Sequence, residues 1–230
     1  MNGRDVKYTW LLFDADDTLF DYPKAEAKAL NWTFEAVGLP YLSDYLPVYH
    51  KYNRQVWQEL EQGQLTPLEL RTKRFRLLFE EIGISTDADT FGSLYLKNLA
   101  RGSDLLPGAV ETVAALARNH HIGVVTNGLP EVQRPRLEAS SIRPYIEKLF
   151  ISEEMGAAKP DAAYFDLVFE EIGQPPREKV LIVGDSLTSD ILGGVRYGIH
   201  TCWFNPASLT TELAVTYTIR SLPELIPLLD

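Results

Sequence analysis

An apolar run ends in carboxylates at Leu11-Leu12-Phe13-Asp14-Ala15-Asp16-Asp17-Thr18-Leu19. Aspartate is a poor strand residue and is rarely buried unless paired or bound to a metal. Residues two apart near a strand terminus tend to share one side, which aims Asp14 and Asp16 at a common pocket. Two carboxylates that close repel by roughly 4 kcal/mol at an effective dielectric of about 20. A divalent cation, or a proton on one of them, relieves that repulsion. The pair therefore suggests proton transfer, a hard cation, or both, whereas one Asp alone could be a turn or helix cap.

Further segments place chemistry in comparable positions. Val124-Val125-Thr126-Asn127-Gly128 ends an apolar run in a hydroxyl, an amide and a glycine, a combination that can hold phosphate oxygens or form only a turn. In Gly156-Ala157-Ala158-Lys159-Pro160, Lys159 precedes a proline and is pushed out of the helical region, so its ammonium can reach inward or stay solvated. Leu181-Ile182-Val183-Gly184-Asp185 repeats the strand-then-acid pattern of Asp14. Asp190 follows at an expected helix start, where an acid also complements the helix N-terminus. Asp, Thr, Lys and Asp in that order, at the ends of successive strands, make a joint coincidence improbable.

The elements that must carry these residues alternate. Tyr8–Phe13, Ile122–Thr126, Leu149–Ile151, Val180–Val183 and Thr201–Phe204 read as strands, with Val215–Ile219 at an edge. Helices are expected over Gly108–Arg118, Pro130–Ser140, Pro160–Ile172 and Ser189–Tyr197. Repeated strand–helix units predict an α/β fold with a doubly wound, mainly parallel sheet. Between about residues 20 and 103 the pattern is helical throughout: Lys24–Val37, Asp44–Glu61, a helix to about Ile82 and Asp87–Ala100. The third starts on a capping box, with Thr66 at the N-cap, Pro67 at the first position and Glu69 facing back. The predicted organisation is a core of residues 1–19 and 104–230 interrupted by an all-α insert over 20–103. An insert leaving a strand's C-terminal end emerges where open α/β sheets bind ligands, a place suited to a lid.

Composition sets the surroundings. The chain has 230 residues, 45% of them hydrophobic, and a net charge of −10. No basic cluster appears, which argues against nucleic acid or an anionic membrane as the partner. A phosphorylated small molecule would then need local positive charge. The single cysteine, Cys202, excludes an internal disulfide framework and fits a reducing compartment. Polar Met1–Lys7 runs straight into the first strand without the apolar stretch of a signal peptide, and no run approaches the length of a membrane span. A cytoplasmic location is expected. The sequence carries no signal of oligomeric state.

The ordered set Asp14-x-Asp16-x-Thr18, Thr126, Lys159 and Gly184-Asp185 with Asp190 resembles the haloacid dehalogenase-like (HAD) hydrolase superfamily. Its phosphatases carry D-x-D-x-T, a strand-end Thr or Ser, a Lys and a late G-D-x-x-x-x-D. More narrowly, Thr126-Asn127-Gly128, Phe150-Ile151-Ser152-Glu153-Glu154, Lys159-Pro160 and Thr201-Cys202-Trp203-Phe204-Asn205 look like the 5′-nucleotidases that act on pyrimidine and noncanonical nucleotides. The resemblance implies a Rossmann-like core, a helical C1-type cap and a phosphomonoester substrate. By the same resemblance Asp14 is the nucleophile, and Asp16 the acid and then the base. Asp14, Asp185 and the Asp16 backbone carbonyl hold Mg²⁺, with Asp190 supporting the metal or Lys159. Thr126 and Lys159, with backbone N–H groups near Asn127 and Gly128, bind the phosphoryl oxygens. No histidine lies at a motif, which disfavours zinc. A sugar-phosphate phosphatase or phosphomutase shares the core motifs and stays an alternative. A non-catalytic phosphoacceptor receiver also clusters Asp, Thr and Lys, but on a shorter chain without an insert. Trp32, Tyr45, Tyr49, Tyr52 and Trp57 of the insert could stack a nucleobase or pack a helix bundle, and Arg54, Arg71 and Arg74 could touch substrate but are expected to be solvated at the surface.

Overall fold

A computed structural model describes residues 7–229. Of the polar Met1–Lys7 lead-in, residues 1–6 lie outside the described part. The elements in chain order are β1 (Trp10–Phe13), α1 (Tyr22–Ala36), α2 (Tyr45–Glu61), α3 (Pro67–Ile82), α4 (Ala88–Leu99), α5 (Ala109–Leu116) and β2 (His121–Thr126). There follow α6 (Pro130–Glu138), β3 (Lys148–Ile151), α7 (Ser152–Met155), α8 (Ala162–Glu171), β4 (Val180–Gly184), α9 (Leu192–Tyr197), β5 (His200–Phe204), β6 (Tyr217–Ile219) and α10 (Leu225–Leu229). The chain forms two compact units, residues 1–22 with 103–230, and residues 23–102.

The larger unit holds a parallel six-stranded sheet in the order β3-β2-β1-β4-β5-β6. Its central strands are buried on both faces, which is why they read as continuous apolar runs rather than alternating ones. Side chains nevertheless alternate. Leu11 and Phe13 of β1 pack with Val124, Val183, Phe204 and α5. Trp10 and Leu12 pack on the other face with Val125, Ile182 and the Tyr164, Phe165, Val168 and Phe169 stripe of α8. The strand order reverses at β1, where β2 lies on one side and β4 on the other, and such a switch point is where open α/β sheets open a crevice. The segment leaving β1 and the one returning from the helical unit run antiparallel, joined by Leu106 N–H to the Leu19 carbonyl (2.9 Å) and Asp21 N–H to the Asp104 carbonyl (3.0 Å).

The smaller unit is helical. The α3 capping box forms as the sequence spells it, with Thr66 accepting from the Glu69 N–H and Glu69 reaching back to the Thr66 N–H at 2.9 Å. An aromatic cluster fills the unit: Tyr49 stacks on Phe75 at 5.7 Å, and Phe34 meets Phe91 at 5.0 Å and Tyr45 at 5.3 Å. Arg74 departs from expectation: it is buried, donates to Asn53 Oδ1 at 2.9 Å and lies over the Phe75 and Tyr95 rings. Asn53 in turn donates to buried Glu26 at 3.1 Å.

Other departures are local. The expected Pro160–Ile172 helix starts later, at Ala162, because the Asp161 N–H closes a turn onto the Ala158 carbonyl at 2.9 Å. The expected Ser189–Tyr197 helix is preceded by a wide π-helical turn, Leu187–Ile191, so Asp190 lies inside that turn instead of at a helix start. Helices α7 and α10 carry too few residues to show a periodicity. Among the described residues no helix is long and apolar enough to cross a membrane.

Cys202 of β5 is fully buried, and burial followed by the charge of Glu224 pushes its thiol up to about 12. Because the thiolate is the reactive form, iodoacetamide is expected to leave native Cys202 unmodified at pH 8 and to label it stoichiometrically in guanidinium chloride, as read by intact mass.

Candidate active site

The register of the central strands sets the site. Phe13 pairs with Val124 on one side and Val183 on the other, so Asp14, the next residue, stands between the ends of β2 and β4. Its N–H donates to the Val183 carbonyl at 2.8 Å, which continues the ladder and fixes its backbone.

Lys159 fills the space beside it. Its ammonium has three protons and three acceptors: Asp14 Oδ1 at 2.5 Å, Asp190 Oδ1 at 2.8 Å and the Val125 carbonyl at 2.8 Å. Lys159 is 2% exposed and Asp190 0%, so water screens neither. Asn127 places the lysine by gripping its main chain: Nδ2 donates to the Lys159 carbonyl at 2.8 Å, and Oδ1 accepts its N–H at 3.0 Å.

Asp185, one residue past β4, completes an acidic cluster. One carboxylate oxygen each from Asp14, Asp185 and Asp190 lie within 4.8 Å of one another. Thr18 is fully buried, donates to Asp185 Oδ1 and accepts the Asp185 N–H, both at 3.1 Å. Trp203 Nε1 donates to the Asp185 carbonyl at 2.9 Å. Asp190 reaches back from the wide turn to accept the Ser186 N–H at 3.1 Å. It can do so only because Gly184 lacks a side chain: a Cβ there would stand 2.3 Å from Asp190 Oδ2.

The protonation shifts have one meaning. Burial lifts the Asp14 carboxyl well above the usual carboxylate range; Lys159 pulls it back, while Asp190 and Asp185 push it further up. Asp185 is pushed up to about 6, by burial first and then by the charge of Asp190. Burial opposes the charge on Lys159, yet Asp14 and Asp190 outweigh it and raise that group above its ordinary value. Three buried or half-buried carboxylates share one ammonium, and the cluster is short of positive charge. Hard oxygen donors that close, with a charge deficit, fit Mg²⁺ or a similar hard cation.

The remaining sequence candidates sit nearby with different partners. The Thr126 hydroxyl is buried and accepts the Gly128 N–H at 3.0 Å. Here a local turn engages the Gly128 N–H. The hydroxyl's own proton remains available for donation. Asp16 is not one of the three clustered acids. Its carboxylate turns to α6, where Gln133 Nε2 donates to Oδ2 at 2.6 Å and Arg136 Nη1 to Oδ1 at 2.5 Å. Asp17 sits in the intervening turn at φ +61, a conformation Asp tolerates. Sequence reasoning missed Gln133 and Arg136, although they lie with Val132 and Leu137 on the buried stripe of α6. Polar residues inside an apolar helical stripe were the available signal.

A family model described as haloacid dehalogenase-like hydrolase matches residues 8–198. HAD-hydrolase YfnB of Bacillus subtilis is 38% identical over 97% of this chain and 96% of its own. Its magnesium-bound crystal structure superposes with a TM-score of 0.91 over 97% of this chain and 99% of that one. Pyrimidine 5′-nucleotidases YjjG of Escherichia coli and PynA of Streptococcus pneumoniae are each 35% identical over 97% of this chain, covering 99% and 95% of theirs. The fold and the acid-lined switch point are those of a phosphatase-type α/β hydrolase. The chain belongs to the haloacid dehalogenase-like hydrolase family, and the nucleotidases are among its near relatives.

Gly184→Ala is expected to force Asp190 away from Lys159 and to lower stability by about 1–3 kcal/mol, the usual range for overpacking. Urea denaturation measures it; unchanged stability would show that Asp190 is not held where the structure places it.

Proposed function

We propose that this enzyme is a Mg²⁺-dependent phosphomonoesterase that works through an aspartyl phosphate on Asp14 and takes nucleoside 5′-monophosphates. The observation that carries the reaction is the buried Asp14–Lys159–Asp190 arrangement beside Asp185 at the switch point. The substrate class is supported by the nucleotidases YjjG and PynA, which match over nearly the full chain.

Asp14 and Asp185, with the Asp16 backbone carbonyl, would hold the cation, and Asp190 would support it. When bound, the cation supplies charge neutralisation for the phosphoryl group and for the site's carboxylates. Lys159 fixes Asp14 Oδ1, and the other oxygen attacks phosphorus in line with the ester oxygen. The P–O ester bond breaks as the Asp14–phosphorus bond forms, and Asp16 protonates the departing alkoxide. Asp16 then takes a proton from water, whose oxygen attacks phosphorus, releasing inorganic phosphate and regenerating Asp14. Thr126 donates its hydroxyl proton to a phosphoryl oxygen. Lys159 does the same by exchanging one of its present bonds, with main-chain N–H groups near Asn127 assisting. Such catalysis is mostly positioning and charge stabilisation. The helical unit is inserted between residues 22 and 103, directly after the strand end that carries Asp14 and Asp16. A single buried cysteine fits work in the reducing cytoplasm.

Purified enzyme is expected to hydrolyse p-nitrophenyl phosphate with Mg²⁺, to lose that activity in EDTA, and to lose it on Asp14→Asn. Hydrolysis that persists without any divalent cation sinks the mechanism. Asp16→Asn is expected to slow turnover by about 10²–10⁴-fold, the span of general acid–base catalysis, while calorimetric Mg²⁺ binding persists. A panel of nucleotides and sugar phosphates assigns the substrate: a kcat/KM led by pyrimidine 5′-monophosphates is expected, and a lead by sugar phosphates overturns the nucleotide assignment.

A further inference from the structure

Asp16 is held at both carboxylate oxygens by one face of a nine-residue helix, α6. The donors are not surface groups that happen to reach it: Gln133 is 2% exposed and Arg136 0%. Burying a guanidinium is costly unless a partner offsets it. Here the partners are Asp16, whose side chain is 27% exposed, and the face of the Phe20 ring 4.5 Å from the guanidinium carbon. Val132 and Leu137 of the same stripe meet the needs of packing. The polar pair between them ends on the reacting carboxylate. Space for the clamp is kept open by the strand-end glycine. A Cβ on Gly128 would stand 2.2 Å from Gln133 Nε2, so a side chain there would push aside the amide that holds Asp16.

We propose that Gln133 and Arg136 are positioning residues for Asp16. Each occupies one lone pair of a different carboxylate oxygen, which fixes the orientation of the carboxylate and leaves the remaining lone pairs to take a proton from water or carry one to the leaving group. Arg136 sets where the carboxylate stands, and Gln133 sets its rotation. The inference rests on the phosphomonoesterase reading and on Asp16 as its proton-transfer group.

The distinguishing property is dependence on the leaving group. A nucleoside alkoxide needs a proton as it departs, whereas p-nitrophenolate leaves without one. The test uses full-length enzyme with Mg²⁺ and compares kcat/KM, which reports phosphoryl transfer to Asp14, for uridine 5′-monophosphate and p-nitrophenyl phosphate. In Gln133→Leu and Arg136→Lys, kcat/KM for the nucleotide is expected to fall about 10–100-fold, the scale of a misplaced catalytic group, and that for p-nitrophenyl phosphate less than about threefold. Acid-quenched aspartyl phosphate should also accumulate during p-nitrophenyl phosphate turnover, since the water step loses its aligned base. Equal losses on both substrates, or no loss in Gln133→Leu, overturn the proposal by making the pair purely structural or idle. If Arg136→Lys fails to fold, Gln133→Leu decides alone, with its thermal unfolding midpoint as the control. A wild-type enzyme that hydrolyses neither ester defeats the phosphomonoesterase reading first and this inference with it. A changed substrate ratio cannot arise from that failure.

Discussion

The site hangs on one buried ammonium. Lys159 has no water to fall back on, so each of its protons must find an acceptor, and the fold is arranged to deliver all of them. β1 must end at Phe13 so that Asp14 is the next residue, and β2 must present the Val125 carbonyl in register. Asn127 must grip the lysine's backbone, and the wide turn after β4 must swing Asp190 inward past a glycine. Deleting Lys159 would leave its two buried carboxylate partners uncompensated, which costs on the order of 3–5 kcal/mol. The chemistry and the stability of the strand ends are therefore the same problem.

A second ion pair resolves the first difficulty the sequence raises. Asp14 and Asp16 repel if both face one pocket, yet the structure gives each its own cation, Lys159 for one and Arg136 for the other. The turn between them does the separating. The Ala15 carbonyl accepts both the Leu19 and Phe20 N–H groups, and Asp17 adopts a positive φ. Neighbours in sequence thereby become members of different networks. One is buried and metal-like in its donor set, and the other is half-exposed and able to meet solvent.

This division also explains what could be read from the sequence. Strands buried on both faces announce themselves as apolar runs, and an acid immediately after such a run has little structural use, so Asp14 and Asp185 were legible. The α3 cap was legible because Thr66, Pro67 and Glu69 act within a few residues of each other. Gln133, Arg136 and Arg74 were not, because a polar side chain on a helix is ordinarily solvated, and only tertiary partners reveal otherwise. Arg74 is buried by Asn53 and two aromatic rings drawn from separate helices. The present partner of the Gly128 N–H was hidden for a related reason. A hydroxyl two residues away competes for it locally, and that competition is settled by backbone conformation, not by composition.

The overall charge of −10 bears on how an anionic substrate could approach. A phosphate dianion approaching this protein gains nothing from the long-range field, which has the wrong sign. Nor are Lys159 and Arg136 free cations waiting for it, since each already neutralises a carboxylate. On the proposed reading, attraction would come from positive charge added at the cluster of Asp14, Asp185 and Asp190. A divalent cation held by Asp14 and Asp185 would cancel excess carboxylate charge and would release Lys159 from part of its present duty. The anion in turn raises affinity for the cation, because coupling between two ligands is reciprocal. In an acidic chain with buried and already-paired cations, the proposed metal and the proposed substrate thus belong to one binding event.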